Sequence, residues 1–144
     1  MNLLVSACLL GIECRYCGTG LFNSAVYNLK EQHNLIPVCP EQLGGLTTPR
    51  NPVEIRDNKA IDEEENEYTS QFHKGAEEAL KIAQLLDCPV AVLKSKSPSC
   101  GYGKIYDGTF DGTLIEGKGI TASKLEEHGI KILTEQEIED GKFA

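Results

Sequence analysis

The sequence predicts a small three-layer, Rossmann-like α/β fold with a mainly parallel sheet, organised as one domain over residues 1–144. Three observations predict it. Short apolar segments of strand length alternate with segments of helical period, the pattern of a β/α protein. The run Val90-Ala91-Val92-Leu93 is apolar at every position, as expected of a parallel strand covered on both faces. Turns rich in glycine, proline and serine follow three of the strands, where such sheets place their ligands.

The elements follow in order. Leu3 to Ala7 is a compact apolar strand that ends at Cys8, and residues 21 to 32 carry a helical rhythm through Phe22, Val26 and Leu29. Leu35 to Val38 is a second strand, stopped by Pro40 and the Gly44-Gly45 pair. Val53 to Ile61 reads as a small hairpin turning at Asp57-Asn58. Acidic residues 62 to 67 lead into the clearest helix, whose apolar face holds Phe72, Ala76, Ala79, Leu80, Ala83 and Leu86. After the Val90 strand, glycines at 101, 103, 108 and 112 indicate a loop with short hydrophobic pieces at 104–106 and 113–115. Thr121 to His128 is a helix with Gly129 as a left-handed cap. Ile130 to Leu133 is a further strand, and Thr134 with Glu137 forms a capping box that starts a terminal helix.

The chain has 144 residues, 40% of them apolar, sufficient for one core. Its formal charge of -8, from 14 Lys and Arg against 22 Asp and Glu, disfavours long nucleic acids and anionic membranes as partners. A small-molecule substrate fits this balance. The N-terminal apolar run lacks a basic region before it and is too short to span a bilayer, so it reads as a first strand. The expected location is the cytoplasm. In that reducing compartment the cysteines are free, metal-bound or redox-active.

Three of the six cysteines close distinctive turns: SACLLG around Cys8, PVCPEQLGG around Cys39 and KSKSPSCGYG around Cys100. Each falls at the carboxyl end of an expected strand. Three thiolates on three loops can hold three corners of a cubane iron–sulfur cluster and leave the fourth iron open. Burial of Cys8 and Cys39 as small hydrophobes, and zinc binding, are the alternatives, although the paired short spacings of four-cysteine zinc sites are missing. Cys14-Arg15-Tyr16-Cys17 is a CxxC pair compatible with redox, zinc or cluster chemistry, and Cys88 before Pro89 reads as a packing residue.

Glu41, two residues beyond Cys39, is a candidate general acid or base, the alternative being a solvated turn carboxylate. Ser97, Ser99, Lys94 and Lys96 surround the Cys100 turn; the hydroxyls suit orienting a ring or water, or building the turn itself, and the lysines can offset thiolate charge. Arg50, with Glu54 behind it, is expected to form an ion pair that fixes the second loop, and is also a candidate substrate contact. Gly101-Tyr102-Gly103 and Gly117-Lys118-Gly119 are weak phosphate-loop signals, and neither GxGxxG after strand one nor GxxxxGK[ST] occurs. His33, His73 and His128 are scattered, with local hydrogen bonding as their expected role.

SACLLGIECRY at 6–16, VCPEQLGGLTTPRNPVE at 38–54 and LKSKSPSCG at 93–101 together resemble the domain of unknown function 523 (DUF523) family, whose characterised members are thiouracil desulfidases. The resemblance runs over nearly the whole chain, with three separated motifs in order. It implies a [4Fe-4S] cluster on Cys8, Cys39 and Cys100, with Cys14 as reserve ligand or near neighbour. It further implies Glu41 as acid/base residue and Ser97 as the residue placing substrate or water. The implied reaction is non-redox, hydrolytic removal of sulfur from 2-thiouracil or a related thiolated nucleobase, with iron–sulfur assembly machinery as a transient partner. Cys17 stands where relatives usually carry a polar residue, commonly aspartate, and brings an extra thiol near the motif. The rival readings are a tRNA or nucleobase sulfur-transfer enzyme, which would need ATP activation and hence a P-loop, and a non-catalytic zinc-binding interaction module.

Overall fold

The computed structural model describes residues 1–143. In the first half the elements are β1 (Asn2–Ser6), a 3-10 turn (Ala7–Leu10), α1 (Ser24–Tyr27) continued by a 3-10 turn (Asn28–Glu31), β2 (Asn34–Val38), α2 (Pro40–Leu43), β3 (Glu54–Arg56) and β4 (Lys59–Ile61). The second half holds α3 (Thr69–Leu85), β5 (Val90–Leu93), β6 (Tyr102–Tyr106), β7 (Leu114–Lys118), α4 (Ile120–Glu127), β8 (Lys131–Thr134) and α5 (Glu135–Glu139).

Four strands make one parallel sheet in the order β2-β1-β5-β8. The period-two alternation of strand side chains divides its residues between two layers. Leu4, Val38, Ala91, Leu93 and Ile132 pack with Leu80, Ala83, Ala122 and Leu125 of α3 and α4. Leu3, Val5, Val90, Val92 and Leu133 pack on the other face with Leu9, Val26 and Ile138. The three-layer α/β architecture is therefore present, with the all-apolar β5 at its centre. Pro37 lies in β2, which has a neighbour on one side only, so its missing N–H disturbs no second ladder. Among the described residues, no helix is long and apolar enough to cross a membrane.

Local chemistry explains the remaining elements. Asp57 and Asn58 have φ of 52° and 62°, the left-handed pair required by a tight two-residue hairpin between β3 and β4. Gly129, at φ 82°, caps α4. Thr134 accepts from the Glu137 amide at 3.3 Å while the Glu137 side chain accepts from the Thr134 amide at 3.2 Å, completing the expected capping box.

Four expectations change. The first helix is shorter than residues 21–32, because Leu21 and Asn23 donate their amides to Cys8 and Leu9 carbonyls and so belong to the turn after β1. Asn23 then caps α1 by accepting from the Val26 amide at 3.0 Å, and Phe22 is left 58% exposed. Leu86 follows the end of α3 instead of facing the core and is 38% exposed. The glycine-rich stretch after Cys100 is a regular antiparallel hairpin, β6 with β7, in which Gly103 sits opposite Gly117. The two weak phosphate-loop signals are thus facing rungs of one ladder.

A short helix that the sequence showed only as a stop, α2, presses directly on α3. A Cβ on Gly75 would lie 1.9 Å from the Pro40 carbonyl oxygen, and one on Gly44 would lie 2.0 Å from that of Gln71. Backbone therefore touches backbone, and this contact sets where the residues after Cys39 stand.

Candidate active site

The carboxyl ends of β1, β2 and β5 open on a single cavity of about 430 Å³. Cys8, Cys14, Cys39 and Cys100 all line it, with Glu41, Ser97, Arg50 and Lys94. Chain segments far apart in sequence meet here because parallel strands present their carboxyl ends to one edge. Cys88 is buried in the layer under α3 and α4, as its packing role requires, and Cys17 is exposed and bonded to Thr19 Oγ1 at 3.0 Å. Neither lines the cavity.

Each thiol is held by its local backbone. Cys8 lies in the 3-10 turn after β1, with its carbonyl accepting from Gly11 at 3.1 Å and Leu21 at 2.8 Å. Cys39 is the extended residue before α2, and its Sγ is 3.7 Å from the Cys14 carbonyl oxygen. Cys100 is fixed by Ser97, whose Oγ accepts from the amides of Ser99 at 3.1 Å and Cys100 at 3.0 Å. The turn-building role of serine thus belongs to Ser97, while its own hydroxyl proton remains able to donate. Ser99 is buried and pairs with Thr121 at 2.8 Å.

The thiols differ in proton affinity. Burial pushes Cys8 up to about 11, opposed by the Lys94 charge. Burial also raises Cys100 strongly, against a hydrogen bond with Ser6. A hydrogen bond between Cys14 and Cys39 lowers Cys39 and raises Cys14. Lys94 further pairs with Glu135 at 3.4 Å, which anchors it beside the Cys8 loop.

Arg50 does not pair with Glu54. Its guanidinium instead donates to Glu41 Oε2, while Glu54 Oε1 accepts from the amides of Gly108 at 3.0 Å and Phe110 at 3.2 Å. The reason is placement: Glu54 opens β3 and faces the turn beyond β6, whereas α2 turns Glu41 toward the 47–50 loop. Tyr16, the last residue of the SACLLGIECRY motif but given no role there, and Tyr106, outside every motif, also line the cavity. His128 bonds the Lys124 carbonyl at 2.9 Å, a local contact, whereas His33 meets the N-terminal amine, 32 residues away in sequence, at 3.3 Å.

The donor set fits an iron–sulfur cluster better than a mononuclear metal. Among the described residues, no three His, Cys, Asp or Glu side chains converge tightly enough to hold one metal ion. Four thiols instead border a wide cavity, with Arg15, Arg50, Lys94 and Lys96 in its walls to offset thiolate charge. Soft sulfur donors spread around a space larger than one ion suit a polynuclear iron centre.

Comparison with known proteins gives the same direction. A family model described as 2-thiouracil desulfurase matches residues 3–137. An uncharacterized protein of Bacillus subtilis (strain 168), YbbK, is 37% identical over 148 residues, 96% of this chain and 98% of its own length. A solved structure, the [4Fe-4S]-dependent thiouracil desulfidase TudS (DUF523Vcz), matches with a TM-score of 0.90 at 37% identity, covering 96% of this chain and 93% of that one.

Proposed function

The chain belongs to the 2-thiouracil desulfurase family, and on that premise we propose that it is a [4Fe-4S]-dependent desulfidase converting 2-thiouracil, or a related thiolated nucleobase, to uracil and hydrogen sulfide. The observation that carries this reading is the meeting of three strand-end cysteine loops at one cavity.

Cys8, Cys39 and Cys100 would hold the cluster, one thiolate from each loop, with Cys14 beside them in the same cavity as a fourth thiol. Held by three thiolates, such a cluster would supply one iron without a protein ligand, which would serve as a Lewis acid for the sulfur of the substrate. Glu41 takes a proton from the water that adds to the ring carbon bearing sulfur, then returns one to the ring or the departing sulfur. Ser97 donates its hydroxyl proton to the ring or the water. Lys94 offsets the negative charge beside Cys8. Water contributes the oxygen and two hydrogens, the C–S bond is replaced by C–O, and no net electron transfer occurs. No external reductant is required, and the small acidic protein receives its cluster from assembly machinery.

The decisive experiment is anaerobic reconstitution with iron and sulfide followed by incubation with 2-thiouracil. Uracil and hydrogen sulfide are expected in equal amounts over many turnovers without reductant or ATP. A fully loaded protein that releases neither product, or that requires an electron donor, overturns the proposal.

A further inference from the structure

The cavity wall contains a buried ion pair, Glu41 with Arg50, and the chemistry above gives the cation no task. Arg50 and Glu41 have side chains only 8% and 17% exposed. The guanidinium is bound on several sides: Nη1 donates to the Thr47 carbonyl at 3.1 Å and Thr48 Oγ1 at 3.0 Å. Nη2 donates to the Cys14 carbonyl at 3.1 Å and to Glu41 Oε2. The Arg50 amide donates to the Tyr16 carbonyl at 2.8 Å. One planar group thus joins the Cys14 loop, α2 and the 47–50 loop.

Burying a guanidinium carries a desolvation cost that neutral loop ties would avoid, so its placement calls for a task that needs its shape or charge. The bonding of Glu41 indicates that task. Oε2 is engaged by Arg50, whereas Oε1 has no hydrogen-bond partner among the described residues. Among those residues no fully buried side-chain oxygen is left unsatisfied, so Oε1 is a solvent-accessible oxygen of a side chain that lines the cavity.

We infer that Arg50 is the positioning residue of the site: its guanidinium locks one oxygen of Glu41 and so presents the other to the reacting water, at a spacing from the cysteine loops set by the bond to Cys14. The inference rests on the proposed acid/base role of Glu41. Arg50 acts through Glu41, and a lysine, a point charge without the planar fork, cannot make the same set of bonds. Misplacing a reacting group by about 1 Å can cost about 100-fold in rate, the scale on which such a lock acts.

The test is a double-mutant cycle on anaerobically reconstituted protein, with turnover expressed per cluster. The variants are Glu41→Gln, Arg50→Met and the double variant, with iron content, cluster absorbance, kcat and KM for 2-thiouracil read on each. Arg50→Met is expected to lower kcat about 10- to 100-fold at unchanged KM. In the Glu41→Gln background the same change costs nothing further, because its route of action is already gone. Arg50→Lys, which disturbs the fold less, loses kcat at unchanged KM as well, and added guanidinium restores part of kcat to Arg50→Ala. Additive losses in the double variant, or an Arg50→Lys protein at wild-type kcat, overturn the inference alone. A Glu41→Gln protein at wild-type kcat overturns the acid/base role and this inference with it.

Discussion

Six cysteines share one chain, yet their surroundings give them different chemistry. Cys17 is exposed and lowered by its bond with Thr19, and Cys39 is half-buried and lowered by its bond with Cys14. Cys8 is raised to about 11 by burial, Cys14 is raised by its bond with Cys39 and then by burial, and Cys100 is raised by burial. Since the thiolate is the reactive form, iodoacetamide at pH 8 is expected to label Cys17 and Cys39 of the cluster-free protein first, as read by mass spectrometry. Early labelling of Cys100 would contradict the buried site. A second outcome separates ligands from neighbours. Alanine at Cys8, Cys39 or Cys100 should abolish iron binding, while Cys14→Ala and Glu41→Gln retain it, and Glu41→Gln loses about 100-fold or more in turnover. Iron and acid-labile sulfide assays with product analysis check both points. The three ligand candidates were legible in the sequence because each follows a recognisable strand. Arg50 was legible as a loop clamp, but its partner was not: Glu54 is near in sequence, and Glu41 is the carboxylate that the fold delivers.

At the level of elements, α2 is a helix of only four residues with the largest consequence. Its four residues carry Glu41, and its position depends on Gly44 and Gly75 letting two backbones touch. Gly75→Ala would place a methyl group inside the distance of a carbonyl contact, so α2 must move away from α3. The expected cost is about 1–3 kcal/mol in urea unfolding, with turnover falling by more than the stability loss explains. Unchanged stability and activity in that variant would refute the tight contact. The helix was missed in the sequence because proline and a glycine pair are also the marks of a turn. The hairpin of β6 and β7 was obscured in the same way: glycines that read as a loop are tolerated in a ladder whose partner strand is also glycine-bearing.

Across the whole molecule, charge and a buried carboxylate link the parts. The chain is strongly acidic, but its cavity is lined by four cationic side chains, Arg15, Arg50, Lys94 and Lys96, against Glu41 and Glu54. Lys94 and Arg15 thus oppose the burial that raises Cys8, while the outer surface repels polyanions. Asp62 is fully buried between β4, the entry to α3 and the Arg50 loop. It accepts from the Glu64 and Asn66 amides at 3.0 and 2.9 Å, Tyr68 Oη at 3.0 Å and Asn51 Nδ2 at 3.3 Å. Burial alone would raise its pKa, but these bonds outweigh burial and hold it down to about 2, from 3.8. A depressed carboxylate contributes stability above its unfolded pKa and loses it as pH falls through the folded value. The urea midpoint should therefore drop between pH 4 and pH 2, and Asp62→Asn should flatten that drop. An equally steep acid limb in the variant would exclude Asp62 as a source.

The order of strands and helices, the all-apolar centre, the hairpin at Asp57-Asn58 and the cysteine-bearing strand ends were determined by the sequence itself, because periodicity, turn chemistry and capping act over a few neighbouring residues. Which side chains meet was decided only by the tertiary structure: Cys14 beside Cys39, Arg50 on Glu41, α2 against Gly75 and Asp62 joined to Asn51. Those contacts arise when the sheet brings separate loops to one edge, and the geometry of that edge depends on all four strands at once.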